Sequence, residues 1–348
     1  MTGAQDRSGS GQAGPSSRQP ATPAPRVAII GARRVNQGLG PFVARALSVA
    51  GADVVAHWGT SAASAAAATD ELASIGGVQS TPFHDAEAMV DQARPDALVV
   101  LAPSTHHADW LDLALSRDLH VLCEKPLLWG GNDDAERVRK LVADFSKAGL
   151  LLEENTQWPA TIPAWRELFP DALASAPKTF AMRLSPARTG VDMLGDSLSH
   201  PLSLLQQLAP ESDEAITDLR FSTTDPQAPD LEIRFTWPAR LGPVDVRVDL
   251  GHGPQQPREA GWGVDGDYAA RLIRTSDYAQ FFAAGAKVVD LPDPLAVHVA
   301  AFVGQLRDHI TAGSTGQRPA DRRGAERRMI RRMEHLTTLV HGYRNGPR

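Results

Sequence analysis

From Arg26 to about Leu150, short runs of apolar residues alternate with segments of helical periodicity. We predict five strands there, at residues 27–30, 53–56, 78–81, 97–102 and 119–123. The helices between them are predicted at residues 41–50, 62–73, 85–94, 107–116 and 133–148. Strands that are apolar throughout and alternate with helices are typical of a parallel sheet with helices on both faces. The sequence therefore predicts a doubly wound α/β domain over residues 26–150.

Beyond residue 150 the apolar residues recur at every second position instead of in runs. This alternation occurs at residues 179–184, 219–223, 231–236, 244–250, 268–275, 278–283 and 287–291. A period of two is the pattern of half-buried antiparallel strands. Helices are predicted at residues 197–208, 295–311 and 322–343. We therefore predict an α+β domain over residues 151–348, with a mostly antiparallel open sheet and flanking helices.

Composition excludes several classes of protein. Residues 1–25 are rich in Gly, Ser, Pro and Gln, which predicts a disordered tail without the apolar centre of a secretion signal, and hence a cytoplasmic protein. No apolar run reaches the roughly 18 residues of a membrane span. The formal net charge of −6 disfavours a nucleic-acid surface. A single cysteine, Cys123, excludes a disulfide framework, and we predict no metal site.

The turn after the first strand contains Gly31, Arg33, Arg34 and Gly38. A glycine-rich turn between a strand and a helix lets backbone N–H groups face a pyrophosphate. The strict spacing G-x-G-x-x-G is not met, because Arg33 stands at the second glycine position. A tight strand-to-helix connection without any ligand explains this turn equally well.

No acidic residue follows the second strand, where NAD-binding domains carry one for the ribose 2′-hydroxyl. Thr60 and Ser61 stand there instead. Small hydroxyls together with Arg33 and Arg34 suit a 2′-phosphate, which favours NADP over NAD as the cofactor. The alternative is that Thr60 or Ser61 only caps the following helix, and the two roles are compatible.

Only five of the 35 basic residues are lysines, so the position of each lysine is informative. Lys125, in the segment Cys123-Glu124-Lys125-Pro126, directly follows a predicted buried strand. Ligands bind at the carboxyl ends of the strands in open parallel sheets. Lys125 is therefore a candidate to hydrogen-bond a substrate hydroxyl, the alternative being an exposed loop lysine.

Two segments, Pro103-Ser104-Thr105-His106-His107 and Glu124-Lys125-Pro126, resemble the Gfo/Idh/MocA oxidoreductases. The family's Asp-x-x-x-His pattern is similar to Asp196 and His200 here, and the resemblance covers residues 26–343. It implies a Rossmann-type domain, with Lys125 between the nicotinamide and the substrate. It also implies that four residues lie on the cofactor side, namely Ala102, Pro103, His107 and Glu124.

The chain departs from the family pattern near this pair. Leu198 stands where the family has a glycine, and Ser203 where an acidic residue is common. The second difference indicates a substrate outside the commonest sugar pattern.

The residue types and spacing of Asp196 and His200 also suit catalysis, independently of the family resemblance. Four residues apart, they would share one face of a helix, and Pro201 requires that this helix is just beginning. His200 could take a hydroxyl proton as hydride leaves the same carbon, with Asp196 as the orienting carboxylate and Lys125 polarising the oxygen. His200 and Lys125 could exchange roles. The alternative is that Asp196 caps the helix and His200 is an ordinary surface residue.

Four further residues are candidates to contact the substrate: Gln157, Trp158, Arg183 and Asp192. The first two follow a predicted sixth strand, where packing is an equally good explanation.

The sequence thus predicts an NADP- or NAD-dependent oxidoreductase acting on a sugar, a cyclitol or a natural-product intermediate. A homodimer or homotetramer through the C-terminal sheet is expected. Two alternatives are a cofactor-retaining hydrolase or lyase that uses transient oxidation, and a non-catalytic dinucleotide sensor.

Overall fold

A computed structural model describes residues 23–35, 38–223, 230–253, 258–276, 278–312 and 320–346. Residues 1–22 of the tail that we predicted over residues 1–25 lie outside the described residues. At its end, the Pro25 carbonyl accepts a hydrogen bond from the Asp53 N–H at 2.8 Å.

The first sheet has six parallel strands in the order β3-β2-β1-β4-β5-β6. They are β1 (Arg26–Ile30), β2 (Asp53–Trp58), β3 (Thr81–Phe83), β4 (Ala97–Val100), β5 (His120–Cys123) and β6 (Leu152–Glu154). The two apolar runs that form β4 and β5 are buried along their whole length, as expected for the centre of a parallel sheet. The prediction of a doubly wound parallel sheet is confirmed.

Five helices cover this sheet: α1 (Gly40–Val49), α2 (Ala62–Glu71), α3 (Ala86–Ala93), α4 (His107–Ser116) and α5 (Asp134–Ala148). Two of them begin with side-chain caps, since Ser61 accepts a hydrogen bond from the Ser64 N–H and Asp85 accepts one from the Ala88 N–H. The third predicted strand begins at Thr81 instead of residue 78, because α2 continues into a π-helical turn over Leu72–Gly76.

The second sheet has eight strands in the order β14-β13-β12-β11-β7-β10-β9-β8. They are β7 (Thr179–Leu184), β8 (Thr217–Ser222), β9 (Leu231–Trp237), β10 (Val244–Leu250), β11 (Ala260–Val264), β12 (Asp267–Ile273), β13 (Gln280–Ala284) and β14 (Lys287–Leu291). Among the described strands of this sheet, only β7 and β10 pair in parallel, so the prediction of a mostly antiparallel sheet is confirmed. The sequence missed β11, whose two glycines hide its alternation although all five of its residues are buried.

Five helices belong to this half: α6 (Ile162–Leu168), α7 (Val191–Ser197), α8 (Ser199–Leu208), α9 (Pro294–Ala312) and α10 (Ala320–Asn345). The helix predicted at residues 197–208 begins two residues later, at Ser199, and is preceded by α7, which it meets at Leu198. None of the helices in the described ranges is long and apolar enough to cross a lipid bilayer.

The two halves of the chain are interleaved. β6 extends the first sheet four residues past residue 150. Helix α9, although it follows the second sheet, packs Val299 and Phe302 into one apolar cluster with Val43 and Leu47 of α1. The carboxyl ends of the first sheet therefore lie against elements of the second half, and the candidate site forms between them.

Candidate active site

Lys125 follows β5 and reaches across to the second half of the chain. Its Nζ donates to the Asp196 main-chain oxygen at 2.6 Å and approaches Asp196 Oδ1 at 3.1 Å. The Lys125 side chain is only 13% exposed, so this charge is held by the protein and not by bulk water. The peptide between Lys125 and Pro126 is cis. The structure thus brings together two of the three predicted catalytic residues in direct contact.

Asp196 and His200 lie four residues apart on either side of Leu198, where two helices meet and the backbone is itself helical, with φ −73° and ψ −22°. Asp196 lies in the last turn of α7, whereas His200 is the second residue of α8. Pro201 fits the third position of α8, because the first N–H groups of a helix have no partner within it. His200 is therefore at a helix N-terminus as expected, but Asp196 approaches it from the preceding helix.

Asp192 and Trp129 fix the position of α7. The Asp192 carboxylate accepts a hydrogen bond from Trp129 Nε1 at 3.1 Å. The indole lies against Gly195, where an added Cβ would come within 2.7 Å of the ring. Asp192 therefore anchors the helix that carries Asp196, and its predicted contact with the substrate stays a prediction.

His200 is half-buried and lies beside Trp158, with their ring centroids 6.0 Å apart. Burial lowers the pKa of the imidazole well below its usual value; Lys125 lowers it, Asp196 raises it and Arg271 lowers it further. His200 is therefore neutral at pH 7 and able to accept a proton.

The Asp196 carboxylate is ionised. Burial by itself raises its pKa, but Lys125, His200 and Arg258 together outweigh burial and lower the pKa below its ordinary value. A negative charge held beside a neutral imidazole favours the imidazolium that forms when His200 takes up a proton.

Four buried polar atoms around this cluster have no hydrogen-bond partner among the described residues. They are Asn155 Oδ1, Ser199 Oγ, His200 Nδ1 and Arg271 Nε. Buried polar groups in proteins are normally hydrogen-bonded. Their concentration around the Lys125–Asp196 contact is what a site for a polar ligand requires.

Asn155 and Glu124 link the ends of β5 and β6. The Asn155 N–H donates to the Cys123 carbonyl at 2.7 Å, and its side-chain amide donates to the Glu124 carboxylate. Burial raises the pKa of Glu124, while Lys125 and Asn155 lower it in part. Burial also raises the pKa of the Cys123 thiol well above its usual value, so Cys123 is not a nucleophile.

His107 is buried and ties two loops together. Its Nε2 lies 2.8 Å from the Ala102 carbonyl oxygen, and its Nδ1 lies 3.0 Å from that of Pro126. The segment Ala102–Pro103 after β4 is therefore held against the loop that carries Lys125. On the predicted cofactor side, His107 thus holds the backbone of these two loops in position.

The strand order reverses between β1 and β4, which is where open parallel sheets bind dinucleotides. Gly31 ends β1 at a φ of +78°, and a Cβ there would lie 2.8 Å from the Ala102 backbone. A Cβ at Gly40, the first residue of α1, would lie 2.0 Å from the Ala32 oxygen. Only glycine permits this close packing of the loop against the helix N-terminus, so the residues present fit a bound dinucleotide.

The predicted 2′-phosphate site contains an acid that the sequence analysis missed. Arg33 Nε lies 3.2 Å from a carboxylate oxygen of Glu71 at the end of α2, and the same carboxylate accepts the Arg34 N–H at 2.5 Å. The Arg34 guanidinium stacks 4.9 Å from the centre of the Phe42 ring. Ser61 caps α2, and Thr60 is exposed beside it. Arg33 therefore forms an ion pair, whereas the Arg34 side chain forms none with the described residues.

The predicted substrate residues separate into two groups. Gln157 and Trp158 line a small cavity near His200, together with Thr161, Arg271 and Pro294. Arg183 does not reach this cavity. It pairs with Glu259 at 2.9 Å, and the strand register places it on the opposite face of the second sheet from Leu184.

Arg271 is a site residue that the sequence analysis missed. On alternation alone, Tyr268 and Leu272 would face the core of β12, but they are exposed, while Ala269 and Arg271 face inward. A charged residue at an inward position is a signal for a site, but it can be recognised only when the buried face of the strand is known.

Comparison with known proteins agrees with this geometry. Residues 25–155 match the family GFO_IDH_MocA, described as an oxidoreductase family with an NAD-binding Rossmann fold. A dTDP-3,4-didehydro-2,6-dideoxy-alpha-D-glucose 3-reductase from Actinomadura kijaniata is 38% identical over 74 residues, 21% of either chain. An inositol 2-dehydrogenase from an Arthrobacter species is 32% identical over 124 residues, 36% of this chain and 34% of that one. The matched segments therefore span only a fifth to a third of these relatives.

The likeness of the fold extends further than the likeness of the sequence. A 3-ketoreductase from Actinomadura kijaniata, solved in complex with TDP-benzene and NADP, superposes with a TM-score of 0.62. The superposition covers 93% of this chain and 98% of the other at 20% identity, and so shows a common fold over both halves. Residues 25–155 of this chain are therefore similar to the NAD-binding Rossmann domain of the Gfo/Idh/MocA oxidoreductase family.

Proposed function

We propose that this protein is an NAD(P)-dependent oxidoreductase acting on a carbon that bears a hydroxyl or carbonyl group in a small polar substrate. The observation that carries the proposal is the contact of Lys125 with Asp196 beside His200, at the carboxyl edge of an NAD-binding sheet. The bound nicotinamide supplies the acceptor or donor of a hydride. The relatives named as reducing a dTDP-sugar and oxidising inositol support a sugar, a cyclitol or a sugar nucleotide as substrate.

The three residues have distinct roles in this proposal. Neutral His200 accepts the hydroxyl proton during oxidation and returns it during reduction. Lys125 donates a hydrogen bond to the reacting oxygen and stabilises negative charge that develops there. Asp196 holds Lys125 in place and favours the protonated form of His200. His200 is preferred to Lys125 as the base, since Lys125 already donates to Asp196.

Initial rates of nicotinamide oxidation or reduction test this function. The purified protein is assayed with NAD(H) or NADP(H) and a panel of myo-inositol, D-xylose and UDP-N-acetylglucosamine with their keto forms. We expect turnover of at least one member, and a loss of about 100-fold or more in Lys125→Met and in His200→Asn. Lys140→Met, at an exposed lysine paired with Asp144, is the matched control. Wild-type rates in both site variants would refute the assignment.

NADP is the proposed cofactor in preference to NAD. No acid follows β2, and Arg34 is available beside Thr60 and Ser61. Glu71 neutralises Arg33 and therefore weakens the preference that two free arginines would give.

We also propose a homodimer that buries the open face of the second sheet. On β12 and β14 this face exposes 37% of Tyr268, 47% of Leu272 and 56% of Val288. An apolar sheet face of this kind is stabilised by a second copy of itself. Light scattering on the wild type should give a dimer mass, and Leu272→Asp a monomer, while Val297→Asp on α9 leaves the mass unchanged. A monomeric wild type would contradict the proposal. A cytoplasmic location remains a prediction from the sequence.

A further inference from the structure

The guanidinium of Arg271 faces inward from β12. The register of the second sheet aligns Arg271 with Ala260 and Phe282, on the side of β12 that faces the site. Among the described residues, none forms an ion pair with Arg271, although the charge of Asp293 acts on it, and its Nε is buried without a hydrogen-bond partner. A buried guanidinium without a counter-ion is costly, because a charge loses its hydration inside a protein.

Packing holds Arg271 in this position. Its guanidinium lies over the Trp158 ring, 5.2 Å from the ring centroid. The Trp158 ring in turn lies beside His200. Burial lowers the pKa of Arg271 to about 10, with Asp293 raising it and Arg258 lowering it, so the group stays charged at pH 7.

Other charged groups lie around this cavity. Asp196 is engaged by Lys125. The Asp293 carboxylate, whose charge acts on Arg271, accepts hydrogen bonds from the Leu295 N–H and the Gln280 amide. Among the residues that line the cavity itself, Arg271 carries the charge.

The cofactor's phosphates do not explain this charge. A dinucleotide pyrophosphate belongs at the β1–α1 turn, against the glycines of the first domain. Arg271 lies on the second sheet, behind Trp158 and in the small cavity that Gln157, Thr161 and Pro294 also line. An anion bound there is part of the substrate.

We propose that Arg271 is a specificity-determining residue that binds a carboxylate or phosphate group of the substrate. This inference deepens the proposed oxidoreductase function and rests on it. The planar guanidinium presents paired N–H groups to two oxygens of the anion, and the Trp158 ring keeps it from rotating away. A substrate without a negative charge would leave Arg271 unpaired.

Calorimetric titration of the wild-type protein with saturating NADP tests the proposal without relying on turnover. The probes are D-glucose, D-glucuronate and D-glucose 6-phosphate, which differ only in the group at one end. We expect one of the charged sugars to bind at least tenfold more tightly than D-glucose, and the stronger of the two identifies the anion as carboxylate or phosphate. If neither charged sugar binds more tightly than D-glucose, the proposal is wrong.

Two variants assign the preference to Arg271. Arg271→Gln should lose the tenfold preference and keep its Kd for NADP, whereas Arg271→Lys keeps part of it. Arg274→Gln is the matched control, because Arg274 follows the same strand and lies over Phe281, 5.3 Å from the ring centroid, but is exposed. A preference that survives in Arg271→Gln overturns the assignment. Failure of the oxidoreductase proposal would look different, since no sugar would then be oxidised or reduced even if the charged one bound.

Discussion

At the scale of single residues, the site depends on a carboxylate that serves two neighbours. Asp196 engages Lys125 through both its main chain and its side chain, and its charge raises the pKa of His200. The main-chain contact survives any substitution of the side chain. The two functions of Asp196 can therefore be separated by experiment.

Asp196→Asn removes the charge and leaves the 2.6 Å contact between Lys125 Nζ and the main-chain oxygen. Because the Asp196 charge raises the pKa of His200, its loss lowers that pKa further. The acid limb of kcat/KM for alcohol oxidation, which lies below pH 6.5 in the wild type, should move to still lower pH. We also expect kcat to fall about tenfold or more, since the imidazolium loses its counter-charge. A limb that moves upward would contradict the role given to Asp196.

Arg34 is predicted to select the cofactor. Its guanidinium lies over the Phe42 ring beside the end of β2, whereas Arg33 forms an ion pair with Glu71. Arg34→Ala should raise the Kd for NADPH about tenfold and change the Kd for NADH less than twofold, as measured by fluorescence titration. Arg45→Ala, on the exposed side of α1, is the control. Equal effects on the two dinucleotides would show that Arg34 does not contact a 2′-phosphate.

At the scale of helices and strands, a buried ion pair ties α10 to the site. Arg332 of α10 contacts Glu154 of β6 at 2.7 Å, and the side chains are 9% and 4% exposed. The same guanidinium donates to Gln206 of α8 at 2.7 Å. This arrangement joins the strand that precedes Asn155 to the helix that begins with His200.

Arg332→Met should therefore destabilise the protein by about 3–5 kcal/mol, because it leaves the Glu154 carboxylate buried without its counter-charge. The shift of the urea unfolding midpoint measures this loss. The control is Arg139→Met on α5, which removes an exposed ion pair with Glu334 of α10. This variant should leave the urea midpoint nearly unchanged. Equal shifts in the two variants would contradict the argument.

The elements that the sequence predicted well are those with a local signal. The apolar run of β4 and the helix α4 were located to within two residues. The junction of α7 and α8 at Leu198 has no such signal in the sequence. Lys125 stands out as one of only five lysines, directly after a predicted strand, and Asp196 and His200 were identified through the resemblance to the family pattern. Arg271 was not, because the inward face of β12 is decided by the neighbouring strands.

At the scale of the whole molecule, distant segments share one core. Helix α9 returns from the second sheet to pack on α1, and His309 of α9 lies 4.7 Å from the His120 ring, centroid to centroid. No local pattern in the sequence indicates this return. His120, on β5, is buried and its Nδ1 accepts the Leu151 N–H at 2.8 Å.

The burial of His120 makes stability depend on pH. Burial, together with the charges of His309 and Arg322, lowers its pKa to about 4, whereas the unfolded chain has a pKa near 6.5. The unfolded state therefore binds more protons between about pH 6.5 and pH 4, and stability falls as the pH drops through that range. This residue contributes on the order of 3 kcal/mol to the loss. His120→Asn, whose Oδ1 can accept the same N–H, should unfold with a shallower pH dependence. An unchanged slope would show that other groups are responsible.

The central claim is that the cluster at Lys125 acts on a carbon next to the nicotinamide, and isotope transfer tests it most directly. The protein is incubated with NADPH deuterated at C4 of the nicotinamide and with the keto form of whichever panel member it reduces, and the product is analysed by mass spectrometry. The account predicts that the product gains one deuterium from only one of the two C4 epimers of NADPH, and that the transfer is lost in Lys125→Met. A product that carries no deuterium, or a transfer that persists unchanged in that variant, would contradict it.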